Sequence, residues 1–271
     1  MPARTIEEVI AHLEVIIERS IATGDRLGYF AALYNRVTQA VREGIRKGEF
    51  QDGPRMERLD VDFANRYLTA HELYRAGKKP TRAWQQAFDA ARNGHHVVLQ
   101  QLLVGMNAHI NLDLGIAAAR TCPGSEIAGL QADFDRINTV LASLTPVVEQ
   151  ELDRRSRVFD VLTRIAPKLE LKVVGFSMDK ARDAAWRFAQ ELAPLGVKAQ
   201  AAPIAARDLA ATVIGLVVLN DGLVIRLIRA GESRDVAANI RELATGEFRN
   251  RVPQIIADPS APRPATPAPA G

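Results

Sequence analysis

The run from Val97 to Arg120 reads VVLQQLLVGMNAHINLDLGIAAAR. Between Leu102 and Ala119 only Asn107, His109, Asn111 and Asp113 are polar. A helix that is apolar around its circumference is one surrounded by other elements. The length would also suit a membrane span, but a histidine, an aspartate and two asparagines near the middle would each be costly in hydrocarbon. The stretch therefore predicts a central buried helix over about 95–119, with its polar cluster enclosed by neighbouring helices.

Outward from that stretch the chain repeats the helical period. Thr5-Ile-Glu-Glu8 is a capping box, and Ile6, Val9, Ile10, Leu13 and Ile17 follow it at helical spacing, placing a first helix at about 5–20. Phe30, Leu33, Val37, Val41 and Ile45 define a second, closed by Gly48. Asp52-Gly-Pro54 opens a third that runs to Ala76-Gly77, since proline in a first turn loses no needed donor. Trp84, Phe88 and Ala91 mark a fourth, ended by Asn93-Gly94. Beyond the central helix, Phe134, Ile137, Leu141 and Leu144 define a sixth as far as Pro146. A seventh spans about 147–165, and Ser177 caps an eighth carrying Trp186, Phe188 and Leu192.

The segment from Val213 to Ile228 is two-sided, because Asn220-Asp221-Gly222 between apolar runs is also a hairpin signal. Ala-rich helical surroundings favour two helices meeting at that turn. The expectation is an all-α fold, a multi-helix bundle of about nine or ten helices around the central one. It forms a single helical domain over 1–252, with any C-terminal subdomain beginning near 170, and a disordered Pro/Ala-rich tail over 253–271.

Composition narrows the function classes. At 271 residues and 47% hydrophobic content, the chain can bury a substantial core without disulfides or structural metal. Its one cysteine, Cys122, permits no intramolecular disulfide, and Met1-Pro2-Ala3-Arg4 leads straight into an amphipathic helix. Together these give the expectation of a cytoplasmic protein without a transmembrane segment. Thirty-five basic against 32 acidic residues leave a net charge of +3. The densest basic run, Arg154-Arg155-Ser-Arg157, is flanked by Glu149, Glu151, Asp153 and Asp160, so no nucleic-acid partner is expected. Gly-x-Gly-x-x-Gly, the phosphate-binding Gly-x-x-x-x-Gly-Lys-Ser/Thr, Gly-x-Ser-x-Gly, His-Glu-x-x-His and Glu-x-x-His are all absent. Nucleotide and nicotinamide cofactors, serine-hydrolase chemistry and a ferritin-like di-iron site are therefore not expected.

Three stretches carry a resemblance: Arg58-Leu-Asp-Val-Asp-Phe-Ala-Asn65, Gly105-Met-Asn-Ala-His-Ile-Asn-Leu-Asp-Leu114 and Lys180-Ala-Arg-Asp-Ala-Ala-Trp186. The chain resembles the bacterial family called domain of unknown function 5995 over nearly its whole length except the tail. The resemblance implies an all-α protein and names no activity.

Site chemistry comes from positions. At about 100° per residue with Leu102 at zero, His109 falls near −20° and Asp113 near +20°, with His95 also near +20°. His109 and Asp113 thus share a face, while Asn107 and Asn111 form a second four-residue pair on another side. On the third helix Asp62 and Arg66, also four apart, lie within the apolar sector of Leu59, Phe63, Ala70 and Tyr74, flanked by Asn65 and Tyr67. Buried carboxylates must be paired or bound to metal.

One expectation is a metal-dependent, hydrolase-type enzyme acting on a small or lipid-like substrate. Here His109, Asp113 and Asp62 hold one zinc, manganese or iron ion, and His95 or His96 could join them only if a second element brought it in. Asn107, Asn111 and Arg66 are the further binding residues. The His-x-x-x-Asp pair is similar to part of the ligand set of zinc-dependent phospholipases C and related nucleases, which add a His-x-x-x-Glu pair that this chain lacks. A metal-free variant makes His109 a general base oriented by Asp113. The alternatives are a non-catalytic binding protein for an apolar ligand with a polar head, and a structural protein whose buried network only fixes packing. His12 and His71 are expected at surface or boundary positions, and Cys122 as a small buried group.

Overall fold

In the computed structural model, residues 1–137 and 178–245 are described. They form α1 (Ile6–Thr23), α2 (Gly28–Arg46), α3 (Gly53–Arg75), α4 (Arg82–Asn93), α5 (Val98–Asn107) and α6 (Gly115–Thr121). After these come α7 (127–137), α8 (Met178–Leu192), α9 (Ala201–Val218), α10 (Leu223–Gly231) and α11 (Val236–Thr245). Between α5 and α6, Ala108–Leu114 winds as a π-helix without a break in direction. The fold is all-α around a buried central helix, and α9 and α10 meet at Asn220-Asp221-Gly222 as two helices rather than as a hairpin. The second half of the expected sixth helix, the expected seventh and the C-terminal tail lie outside the described residues.

The central helix is enclosed because its sequence leaves it no wet face. The π segment touches α3, α4, α8 and α9, while α2 lies against α5 and α3 against α6. Residues 98–121 are long and apolar enough to cross a membrane, but 94% of their most apolar window is buried inside the protein. Helix α9 passes the same length and composition test with only 22% buried.

Three helix N-termini in this bundle take acceptors from distant parts of the chain, α3 in addition to its own Asp52 cap and α5 in addition to Gln100. Orphan N–H groups of a first turn need acceptors, and a carboxylate there also complements the helix dipole. Thr81 precedes α4 but makes no side-chain cap; Asp208 of α9 accepts from the Arg82 and Ala83 N–H groups at 2.9 Å each. Asp133 of α7 accepts from the N–H groups of Gln51 and Asp52 and from Arg55 at the start of α3. Glu232 accepts from Val98 N–H at the start of α5 at 2.9 Å. Gln100 then ties that first turn to the end of α9, donating to the carbonyls of Val218 and Asn220. Each cap links elements far apart in sequence, so helix ends and tertiary packing form together.

Two glycines let the central helix sit close to its neighbours. A Cβ on Gly105 would lie 2.6 Å from the Phe30 ring, and one on Gly115 would lie 2.8 Å from both the Ala185 carbonyl oxygen and Phe188. Backbone cannot step aside as a side-chain tip can. Gly115→Ala should therefore cost about 1–3 kcal/mol in urea unfolding by overpacking. The exposed helical Gly129, whose added Cβ would meet only Arg55 at 3.5 Å, should gain about 0.5–1 kcal/mol as alanine. Equal effects at the two sites would refute the close-packing account.

Candidate functional site

The polar cluster lies wholly inside the π segment or at its border, with Asn107, His109, Asn111 and Asp113 all buried. A π-helix closes its hydrogen bonds at i→i+5, so its turn is wider than the α turn assumed from sequence. The angles read at α pitch therefore drift along the segment, although residues four apart still adjoin. Both four-residue pairs are present: Asn111 Nδ2 donates to Asn107 Oδ1 at 2.9 Å, and His109 Nδ1 lies 3.5 Å from Asp113 Oδ2.

Asp113 is the hub. Its Oδ1 accepts from Arg66 Nε and its Oδ2 from Trp84 Nε1, each at 2.7 Å, so α3 and α4 both grip the central helix through one carboxylate. Burial works against its ionisation, but the Arg66 charge and the hydrogen bonds from His109 and Trp84 outweigh burial and hold its carboxyl below the usual range. Trp84 had been legible only as a core aromatic of α4; no spacing within the sequence announces its indole N–H as a partner. The expected Asp62–Arg66 pair is not made. Arg66 turns to Asp113 instead, and the half-buried Asp62 keeps an Oδ2 without a hydrogen-bond partner. Burial raises the Asp62 pKa against the opposing charges of Arg120 and Arg66.

His109 is encased in rings. Phe63 stacks on it with centroids 3.5 Å apart and planes 6° apart, and Tyr34 meets it edge-on at 4.5 Å. Phe30, Trp84 and Tyr67 complete the box at 5.7, 5.7 and 6.3 Å. Burial depresses the His109 pKa more than the hydrogen bond and charge of Asp113 raise it, so the ring is neutral near pH 7. An ionised Asp113 favours the proton on Nδ1, which leaves Nε2 as an acceptor. That Nε2 has no hydrogen-bond partner, nor do the hydroxyls of Tyr34 and Tyr67 or Oδ2 of Asp60. Buried polar atoms without partners are rare enough in native proteins to call for a reason.

The asparagine pair faces the other way. Asn107 Nδ2 donates to the Ala211 carbonyl of α9 at 2.7 Å, and Arg207 Nε donates to the Asn111 carbonyl at 2.6 Å. Asn107 and Asn111 thereby pin α9 to the π segment and stand apart from the His109 box. Asn65 exchanges two 2.8 Å hydrogen bonds with the Ala3 backbone and holds the N-terminus. His95 is exposed and lies 3.5 Å from Asp221, away from the central cluster, and His96 adjoins it. Cys122 is buried, and burial raises its thiol pKa. His71, expected near the surface, is instead buried against Tyr67 and Phe88, because α4 covers that side of α3.

Among the described residues, no three of His, Cys, Asp and Glu lie together as a ligand group. Both oxygens of Asp113 already accept hydrogen bonds, one from Trp84 and one from the positively charged Arg66. His109, Asp113 and Asp62 do not stand together as such a group.

This is an all-α protein with a buried His/Asp couple on a π-helical turn, walled by aromatic rings. The chain matches the family of unknown function DUF5995 over residues 6–221 and belongs to that family. No curated protein and no solved structure matches it.

Two buried groups near the box titrate in opposite senses. Burial, with a smaller push from Glu57, raises the Asp60 pKa to about 7, whereas burial and Arg75 lower the His71 pKa to about 4. Between pH 4 and 7 folded Asp60 holds a proton that the unfolded chain has released, so its contribution to stability is lost as pH rises. The contribution of neutral His71 is lost as pH falls from about 6.5 to 4, so the two offset. Asp60→Asn should unmask a stability that rises with pH across this window, with a slope of up to about 1.4 kcal/mol per pH unit. His71→Gln should do the reverse. Chemical denaturation in buffers spanning the window reads both slopes, and profiles parallel to the parent's would contradict the assignment.

Proposed function

We propose that the chain is a hydrolase-type enzyme in which His109 acts, without metal, as the general base of a buried centre. Asp113 orients it and fixes its tautomer, while Arg66 and Trp84 hold Asp113 ionised and in place. The observation that carries this reading is the unpartnered Nε2 of a neutral, buried imidazole whose other nitrogen faces a fixed carboxylate. A base of this kind takes a proton from water or a substrate hydroxyl as the new bond to an acyl carbon forms, then returns it to the leaving oxygen. The Tyr34 and Tyr67 rings wall the same box, and each keeps a buried hydroxyl without a partner. Phe63, half-buried and stacked on His109, is the ring that must shift to admit a substrate, and an apolar wall of this kind suits an acyl chain.

A second reading has its own observation in support. Asp113 joins three helices through filled hydrogen bonds, which a purely structural network would also do. Hydrolysis of p-nitrophenyl butyrate separates the two. His109→Gln should lower the rate about 10²–10⁴-fold while the fold persists by circular dichroism, and dialysis against EDTA should leave the parent rate unchanged. A parent rate no higher than that of His109→Gln, with only the melting temperature shifted, would replace the enzyme reading with the structural one. Loss of the parent rate on dialysis, restored by zinc or manganese, would return the metal reading.

A further inference from the structure

Helix α9 has two unlike faces. Inward, Asp208 caps α4, Ala211 receives Asn107, and Gly215 and Val218 are buried. Outward, every exposed position between 201 and 218 is alanine, leucine or valine. Leu209, Val213, Leu216 and Val217 are 50–62% exposed. A continuous apolar stripe along a helix about 27 Å long is uncommon on a monomer and marks an interaction surface.

We propose that this stripe is the two-fold interface of a homodimer, with α9 packed antiparallel on α9 of a second copy. The stripe is graded in size. Its N-terminal half is mostly small, with Ala201, Ala202, Ala205 and Ala206 ahead of Leu209, and its C-terminal half carries Val213, Leu216 and Val217 after Ala210. An antiparallel pair centred between Leu209 and Ala210 sets Val213 opposite Ala206 and Val217 opposite Ala202. Bulk then meets gap at these two steps and Leu209 meets Ala210 at the centre, and each pairing occurs twice, as an isologous interface requires. A parallel pair would oppose large residues at one end and leave space at the other. The absence of charge on the stripe removes self-repulsion, and antiparallel helix dipoles attract. Lys198, exposed just before α9, comes beside the Asn220-Asp221 turn of the other copy. A lipid surface is the weaker match, since alanines gain little from insertion and the stripe lacks the basic polar face of interfacial helices.

Sedimentation of the full chain should give twice the chain mass of 29.6 kDa. The exposed pair Val213→Glu with Leu216→Glu should raise the dimer dissociation constant at least about 100-fold, that is by about 2.7 kcal/mol, with helical circular dichroism unchanged. On mild oxidation Ala210→Cys should cross-link to itself. Ala206→Cys should cross-link to Val213→Cys in a mixture of the two proteins but not to itself, because a disulfide needs Cα atoms within about 7 Å. Cys122, the one native thiol, is buried and adds no product. A monomer overturns the proposal, whether its stripe is covered by the rest of the chain or binds anionic phosphatidylserine vesicles. So does a dimer that survives the two glutamates, or self-linking of Ala206→Cys.

Discussion

The Asp113 carboxylate sits at 1% exposure in the middle of the bundle, where an ionised group survives only if donors replace the water it lost. Those donors come from two other helices: Arg66 Nε from α3 and Trp84 Nε1 from α4. The guanidinium of Arg66 remains partly exposed, so one pole of the pair keeps some hydration while the other is dry. That asymmetry lowers the cost of the pair without loosening it. The positions of α3 and α4 on the central helix, and the Phe63, Tyr67 and Trp84 rings that they bring to the box, depend on this one carboxylate being held.

Around that ion pair, burial disfavours the charged forms of the neighbouring groups. His109 is pushed down, and Tyr34, Asp60 and Asp62 are pushed up. On the proposed reading, a neutral base beside a fixed anion is the division of roles that environments impose on paired groups at acid–base centres. The wider turn of the π segment assists, because four polar side chains can leave the backbone here in two directions. His109 and Asp113 go toward α3 and α4, and Asn107 goes toward α9. π segments recur at functional sites, where a regular α turn would aim the side chains differently.

The central helix and its enclosure were legible because an apolar circumference admits no other placement, and the two four-residue pairs were legible because that spacing holds in either helix type. Other features were hidden for identifiable reasons. The π winding leaves no periodic trace over seven residues. The partner choice of Arg66 depends on which carboxylate is drier: Asp113 is fully enclosed, whereas Asp62 is half-buried. Trp84 looked like bulk because an indole N–H matters only once its acceptor's position is known. His71 and Asp60 lie on a helix whose apolar sector is wide, and their burial is decided by α4 and α2, neither of which the local pattern of α3 describes. The long-range caps from Asp208, Asp133 and Glu232 are invisible for the same reason, since each joins residues more than 75 positions apart.

Helix α9 connects these observations. Asp208 fixes the start of α4, the helix that carries Trp84, and the Ala211 carbonyl and Arg207 fix the asparagine side of the π segment. Gln100 binds the last turn of α9 to the first turn of the central helix. The inner face of α9 is therefore part of the scaffold around Asp113 and His109, held by directional hydrogen bonds to backbone and carboxylate as well as by the packing of Gly215 and Val218. Its outer face has no such bonds to make. A helix committed by polar contacts on one side and left wholly apolar on the other cannot rotate to hide that stripe without breaking the caps of α4 and the grip on Asn107. On the proposed reading, burial of the stripe comes from outside the described helices, and the polar contacts of the inner face are what keep it turned outward.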